Sequence, residues 1–253
     1  MITFENVTKR LGDRAVLDRL SFHIEKGETF VIVGRSGMGK SVTLKHMVRL
    51  MTPDSGRVLV GNECISEAKR TDLERIRERF GYLFQGGALL AWLTVFENVA
   101  LPLREKTTLG EEEIRDKVLA TLKLVEMEKD GDKIPSDISG GMRKRAGLAR
   151  AIIRNPEIVL YDEPTSGLDP VTSRTIDALI ENLRREIGVT SIVVTHDLHS
   201  ALSIGTRIAM LDGGKIVELS EPDRFIRSAR PEVQDFLNSQ FITKEGPWER
   251  KLK

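Results

Sequence analysis

Apolar and polar positions alternate over residues 2–7, and again over 15–24 around Leu17, Leu20, Phe22 and Ile24. That is the pattern of strands with one buried face. Gly12-Asp13 is a turn signal between the two, and Lys26-Gly27-Glu28 is another ahead of the apolar run Phe30-Val31-Ile32-Val33. A helical pattern follows over 42–50. Pro53-Asp54-Ser55-Gly56 then turns the chain into a short strand, 57–60, that returns to the N-terminal pair. Residues 69–79 are charged apart from a narrow seam at Leu73 and Ile76, which predicts a surface helix. Phe80-Gly81-Tyr82-Leu83-Phe84 predicts a buried strand with Gln85 at its C-terminal end.

Helical spacing resumes over 111–124, with Ile114, Val118, Leu119 and Leu122 on one side. A further helix over 140–154 turns Met142, Ala146, Ala149, Ile152 and Ile153 inward and Arg143, Lys144, Arg145 and Arg150 outward. No strand pattern occurs between about 88 and 150, so this stretch predicts a helical block inserted between two α/β halves. The second half opens on the apolar run Ile158-Val159-Leu160-Tyr161, ending in Asp162-Glu163-Pro164. It continues as helix 170–187, strand 190–195, a helix after His196, and strands 207–211 and 215–219 around Asp212-Gly213-Gly214. Strands alternating with helices call for a mostly parallel sheet. Residues 222–253 add at least one helix, on Phe225, Ile226, Val233, Phe236 and Leu237, and a polar tail.

Against this pattern the candidate chemistry falls at strand ends. The stretch Gly34-Arg35-Ser36-Gly37-Met38-Gly39-Lys40-Ser41 lies between an apolar strand and a helix. Its glycines let successive N–H groups point inward, and the helix start adds its positive dipole end, which suits a polyphosphate. Lys40 can reach the β/γ-phosphates, and the Ser41 hydroxyl is placed to ligate Mg²⁺. Asp162-Glu163 supplies two carboxylates at another strand end: Asp162 can hold Mg²⁺ through its shell and Glu163 can polarise an attacking water. Gln85 and His196 also follow strands, at the sheet edge where ligands bind in open α/β folds. Ser139 reads as a helix N-cap, whereas Gly140 and Gly141 weaken a first turn and suit close approach to an anion, one supplied by a second subunit.

Composition narrows the class. The 253 residues are 40% hydrophobic and 30% charged with net charge +1, as in a globular protein with no global field for nucleic acid or anionic bilayers. One cysteine and four histidines exclude an intrachain disulfide and offer no metal-ligand cluster. The opening Met1-Ile2-Thr3-Phe4-Glu5 does not read as a signal peptide. The uncharged stretch 80–96 contains Gln85 and Gly86-Gly87 and is too short to span a bilayer, so work at a membrane requires docking on another subunit.

Taken together these motifs resemble the nucleotide-binding subunit of ATP-binding cassette (ABC) transporters over residues 2–222. Gly34 to Ser41, followed by Val42, matches the Walker A loop, Gln85 the Q-loop and Ser139-Gly140-Gly141 the signature motif. The run 158–163 matches the Walker B strand, Ser166-Gly167-Leu168-Asp169 the D-loop and His196 the switch histidine. The resemblance implies a RecA-like P-loop NTPase core with an N-terminal antiparallel β subdomain and an inserted α-helical subdomain. It implies ATP as substrate and Mg²⁺ at Ser41, Gln85 and Asp162, with Glu163, His196 and Gln85 as catalytic residues. It also implies a head-to-tail pair of subunits, each signature motif closing over the other's ATP, driving a polytopic permease from the cytoplasmic face of the inner membrane. Two positions depart from the common pattern: Met142 stands where the signature usually has Gln, and Leu11 where an aromatic usually stacks on adenine.

The wording around residues 84–89, 95–104, 139–152 and 231–237 is similar to the ATPase of Mla-type phospholipid transporters, which work with an MCE lipid-binding protein between the membranes of Gram-negative bacteria. That resemblance leaves open a small regulatory subunit. An ABC ATPase for another solute, such as an amino acid or a drug, is the rival reading. A soluble ABC ATPase of DNA repair or translation is another, disfavoured by the single cassette, the lack of a long heptad run and the lone cysteine. No nucleic-acid partner is expected. The division expected is a cassette over 1–222 and a C-terminal extension over 223–253, in which Phe241 and Trp248 are candidate anchors on a partner subunit.

Overall fold

The expected alternation of strands and helices is present, with boundaries that differ where side chains meet backbone. A computed structural model describes residues 1–240; Phe241, Ile242, Pro247 and Trp248 lie outside them. In chain order the elements are β1 (Ile2–Leu11), β2 (Arg14–Ile24), β3 (Thr29–Val33), α1 (Lys40–Met47), β4 (Ser55–Val60), β5 (Glu63–Cys64), α2 (Arg70–Arg77) and β6 (Phe80–Leu83). They continue with α3 (Val95–Lys106), α4 (Glu111–Leu124), α5 (Gly140–Ile152), β7 (Ile158–Asp162), α6 (Pro170–Ile187), β8 (Thr190–Thr195), α7 (Leu198–Ile204), β9 (Arg207–Asp212), β10 (Lys215–Ser220), α8 (Pro222–Ile226) and α9 (Pro231–Ser239). The described residues form two compact units. One holds residues 1–24, 29–67 and 194 onward, the other 25–28 and 68–193.

In the first unit an antiparallel sheet runs β2-β1-β4-β5, with Ile2 opposite Ile24 and Phe4 opposite Phe22. Period-two alternation buries Ile2, Phe4, Val7, Leu17, Leu20 and Ile24 on one face. The rings of Phe4 and Phe22 stack at 4.5 Å, and those of Phe22 and Phe30 at 5.4 Å. The first strand runs four residues past the expected 2–7, to Leu11, because register shifts after Phe4 and Val7 absorb the break in alternation. The β3 strand pairs in parallel with β9, and β10 pairs antiparallel to β9. Helix α1 starts at Lys40 and stops at Met47, short of the expected residue 50, as Arg49 takes a left-handed φ of 51°. Helices α8 and α9 pack on β9 and β10 through Phe225, Val233, Phe236 and Leu237, all buried.

In the second unit β6 and β7 are parallel neighbours, and α5 packs against β6, α3 and α4. Three sequence expectations are corrected here. Leu119 on α4 is 41% exposed and Thr121 is buried in its place, because 114, 118, 121 and 122 fall on one stripe and 119 lies beside it. Phe84 is exposed and Phe80 and Tyr82 are half-buried, so β6 alternates rather than being buried on both faces. Lys144, placed on the outer face by its charge, is only 5% exposed, and Arg150 is half-buried.

Helix α3, within the expected helical block, begins with a capping box in which the Thr94 hydroxyl accepts from Glu97 N–H and the Glu97 carboxylate accepts from Thr94 N–H. One turn on, the fully buried Asn98 accepts from Leu90 N–H at 2.7 Å and donates to the carbonyls of Leu90, Leu93 and Thr94. One amide thus supports the whole loop that precedes the helix. Asn98→Ala removes all four bonds and is expected to cost about 1–3 kcal/mol, since buried peptide groups lose their partners. Chemical denaturation measures the loss, and limited proteolysis should then cut first within residues 88–94.

Candidate nucleotide site

Strand β3 buries all five of its residues and so delivers the chain to Gly34 with little room to shift. A Cβ on Gly34 would lie 2.4 Å from the Leu211 carbonyl oxygen, and one on Gly39 2.9 Å from that of Val16; φ is +152° and +98° at the two positions. Both require glycine. Between them Arg35, Ser36 and Gly37 are exposed and Met38 is half-buried, while Ser41 and Val42 sit half-buried on the first turn of α1. Lys40 is buried, and its Nζ donates to the carbonyls of Gly34 at 2.8 Å and Arg35 at 3.2 Å. The ammonium is thereby held within the loop rather than in solvent.

The first unit also carries Leu11, 48% exposed at the end of β1, and His196, exposed just past β8. The His196 turn is fastened by three side chains. Thr195 Oγ1 accepts from Asp197 N–H at 2.9 Å, and the Asp197 carboxylate caps α7 by accepting from His199 and Ser200 N–H. Gln240, at the end of α9, accepts from Leu198 N–H at 2.9 Å and donates to the His196 carbonyl at 2.6 Å. The C-terminal helices therefore reach the backbone on both sides of Asp197. Nothing in the sequence marks Gln240, because the contact joins positions far apart in the chain.

In the second unit Leu83 of β6 pairs with Tyr161 of β7, so Gln85 and Glu163 each lie two residues past that pair, at the same strand edge. Asp162 and Glu163 are both 8% exposed. Burial, and then the Asp162 charge, raises the Tyr82 hydroxyl well above its ordinary value, so it stays protonated and donates to Asp162 Oδ2 at 3.4 Å. Glu163 takes a left-handed φ of 50°, which turns the chain sharply out of the strand. Its carbonyl accepts from Lys144 Nζ at 2.8 Å. Burial lowers the Lys144 amine to about 8 while the Glu163 and Asp162 charges pull it back up.

Ser139 caps α5 as expected, its hydroxyl accepting from Met142 N–H at 3.2 Å. Gly141 has a further reason to be glycine that the sequence did not suggest: a Cβ there would lie 2.4 Å from Thr172 Cγ2 on α6. Gly140 has no such constraint, its nearest neighbour for a Cβ being Leu168 Cδ2 at 3.5 Å. Met142 is half-buried. Asp169 caps α6 by accepting from Val171 and Thr172 N–H. Farther along α5, Arg150 donates to the carbonyls of Gly87 and Ala88, just beyond Gln85. Gly147 on the same helix meets Gly87, its Cβ position 3.0 Å from the Gly87 Cα. Sequence periodicity missed Lys144 and Arg150, since buried and exposed cations in an Arg/Lys run look alike.

The oxygen donors that the resemblance assigns to Mg²⁺, Ser41 in the first unit and Gln85 and Asp162 in the second, are each of the hard kind that ion prefers. Among the described residues no group of three or more His, Cys, Asp or Glu could hold a metal by itself.

Comparison with known proteins agrees with this geometry. The ABC transporter family pattern matches residues 17–166. The chain is 40% identical over 250 residues to the probable ribonucleotide transport ATP-binding protein mkl of Mycobacterium leprae, covering 99% of this chain and 72% of that one. It is 36% identical over 247 residues to the intermembrane phospholipid transport system ATP-binding protein MlaF of Haemophilus influenzae, covering 98% and 92%. The ATP-binding cassette MJ0796, solved as a dimer in a post-hydrolysis state with ADP and Pi, superposes with a TM-score of 0.81 at 35% identity, over 88% of this chain and 99% of that one. With a family pattern over residues 17–166 and relatives 36–40% identical along nearly the whole chain, the chain belongs to the ABC transporter family as one of its ATPases.

Proposed function

We propose that this chain powers a membrane permease that moves phospholipid between the membranes of a Gram-negative bacterium. The observation that carries this reading is near end-to-end similarity to MlaF, 36% over 247 residues in Haemophilus influenzae and 36% over 238 in Escherichia coli. A second reading, uptake of another solute, draws on the methionine import ATP-binding protein MetN of Cereibacter sphaeroides, 38% identical over 243 residues. No helix among the described residues is long and apolar enough to cross a membrane, so the reading calls for a separate permease subunit. An MCE-type lipid-binding protein and a small regulatory subunit complete the proposed assembly, at the cytoplasmic face of the inner membrane. Purifying the complex from its native membrane and identifying subunits and bound lipid by mass tests the choice; an amino-acid permease as the partner overturns it.

In this reading the N–H groups of residues 34–41 cradle the phosphates of ATP, and Lys40 and the Ser41 hydroxyl engage them at the start of α1. Mg²⁺, when bound, neutralises charge on the β- and γ-phosphates. Glu163 accepts a proton from the attacking water, Gln85 and His196 are further residues assigned to hydrolysis, and Leu11 gives the adenine an aliphatic rather than aromatic contact. Ser139, Gly140 and Gly141 engage the ATP of a second copy in a head-to-tail dimer. The Gln240 clasp on the His196 turn favours a fixed imidazole position.

Docking falls to the loop before α3. Trp92 is 76% exposed, with Leu89, Leu90 and Leu93 half-buried beside it. Asn98 and Arg150 hold the backbone on either side, so a large apolar side chain is presented on a fastened loop, as interfaces favour.

Glu163→Gln is expected to lower ATP turnover by about 10²–10⁴-fold with ATP binding retained. Steady-state phosphate release near wild type would remove Glu163 from the mechanism. Lys40→Ala should instead weaken nucleotide binding itself, read by titration with a fluorescent ATP analogue. Cysteines placed at 89–93 should cross-link to the permease in the assembled complex. Cross-links that never reach a membrane subunit in an active complex would exclude this docking surface.

A further inference from the structure

The motif roles above leave the buried charge of Lys144 unused. Lys144 lies on the second turn of α5, the helix that begins with the Ser139 cap, and its ammonium is spent on a main-chain oxygen rather than on solvent or a carboxylate contact in the first instance. We infer that Lys144 is a positioning residue for ATP hydrolysis: by holding the Glu163 carbonyl it fixes the peptide that aims the Glu163 carboxylate. The inference rests on the reading of Glu163 as the group that takes the water's proton.

Three observations carry it. Glu163 is the first residue past β7 and adopts φ 50°, a conformation that a residue with a side chain adopts at a cost of order 1–3 kcal/mol unless its surroundings hold it. The ladder of β7 ends at Asp162, and the Glu163 carbonyl accepts from the Lys144 Nζ at 2.8 Å and, more weakly, from Ser166 N–H at 3.3 Å. Loss of the Lys144 donor removes the shorter of these two bonds and leaves the longer Ser166 bond to hold the peptide plane, and rotation of that plane swings the attached carboxylate. Finally, an ammonium that is 5% exposed is costly to bury, and packing α5 against its neighbours would be served as well by an apolar chain.

The position on α5 gives the contact a second consequence. The helix is a single element of 13 residues that carries the Ser139-Gly140-Gly141 turn at its start, Lys144 next, and Arg150 on the carbonyls beyond Gln85 near its end. A shift of α5 along its axis therefore acts on the backbones of Glu163 and the Gln85 loop together. Engagement of an anion at the helix start is thereby transmitted to the residue that aims at water in the same chain.

Lys144→Met and Lys144→Arg, made in the full chain assembled with its partner subunits, test the inference against Glu163→Gln as reference. The methionine chain is expected to lower kcat by about 10–100-fold, the scale of a small misplacement of a catalytic group. KM for ATP and the affinity for a fluorescent ATP analogue should stay within about twofold, because the phosphate-binding residues are untouched. Arginine, which keeps a cationic donor, should recover part of kcat. A kcat within about twofold of wild type in Lys144→Met overturns the inference, as does an equal loss of kcat and ATP affinity in both variants. Should the methionine chain fail to fold, Lys144→Leu is judged by the same split. Should Glu163→Gln turn over ATP normally, the role of Glu163 fails first; an inactive Glu163→Gln beside a fully active Lys144→Met fails this inference alone.

Discussion

Buried strands must stop somewhere, and where they stop their backbone runs out of ladder partners. Both β3 and β7 bury all five residues. At their C-terminal ends the chain turns through Gly34 and through Glu163, and the carbonyls exposed by those turns are met by cationic side chains, Lys40 and Lys144. The same holds beyond β6, where Arg150 takes the carbonyls of Gly87 and Ala88, and beyond β8, where the Gln240 amide takes that of His196. Since an unpaired buried peptide group costs as much as a lost hydrogen bond, these side chains are what allow sharp polar turns at the edge of an apolar sheet.

That arrangement also makes the turns chemically useful. Each one carries the chain out of a strand, with carbonyls of the turn bonded by a side chain from outside that strand. Glu163 and Gln85 lie at one edge because β6 and β7 are parallel and in register through Leu83 and Tyr161. Donors held in place before reaction need no reorganisation when charge develops, which is why preorganised turns suit hydrolysis of a phosphate ester or anhydride. The loop bearing Trp92 is fastened by the same logic through Asn98, which ties the apolar surface to the helix beginning at Val95.

Much of this was legible from spacing. Apolar runs of four or five residues flanked by glycines or carboxylates marked β3 and β7, and the phosphate loop is a local motif whose chemistry is carried by adjacent residues. Helices α4 and α6 and strand β8 begin and end where their periodicity says, because each is amphipathic or wholly buried along its length. The structure departs from the expected pattern where a side chain's own character and its place on the element disagree. Leu119 lies beside the buried stripe of α4, Phe84 is exposed at the end of β6, and Lys144 is buried despite its charge.

The order of motifs and the strand-helix alternation were thus determined by the sequence alone, since they depend on neighbours in the chain. Only the tertiary structure decided which charges serve the backbone. Lys144 and Arg150 sit in a run of cations that periodicity assigns to solvent, and Gln240 is an unremarkable amide beyond α9. Each acquires its role from a carbonyl many residues away, and a hydrogen bond between distant segments leaves no periodic trace in either of them.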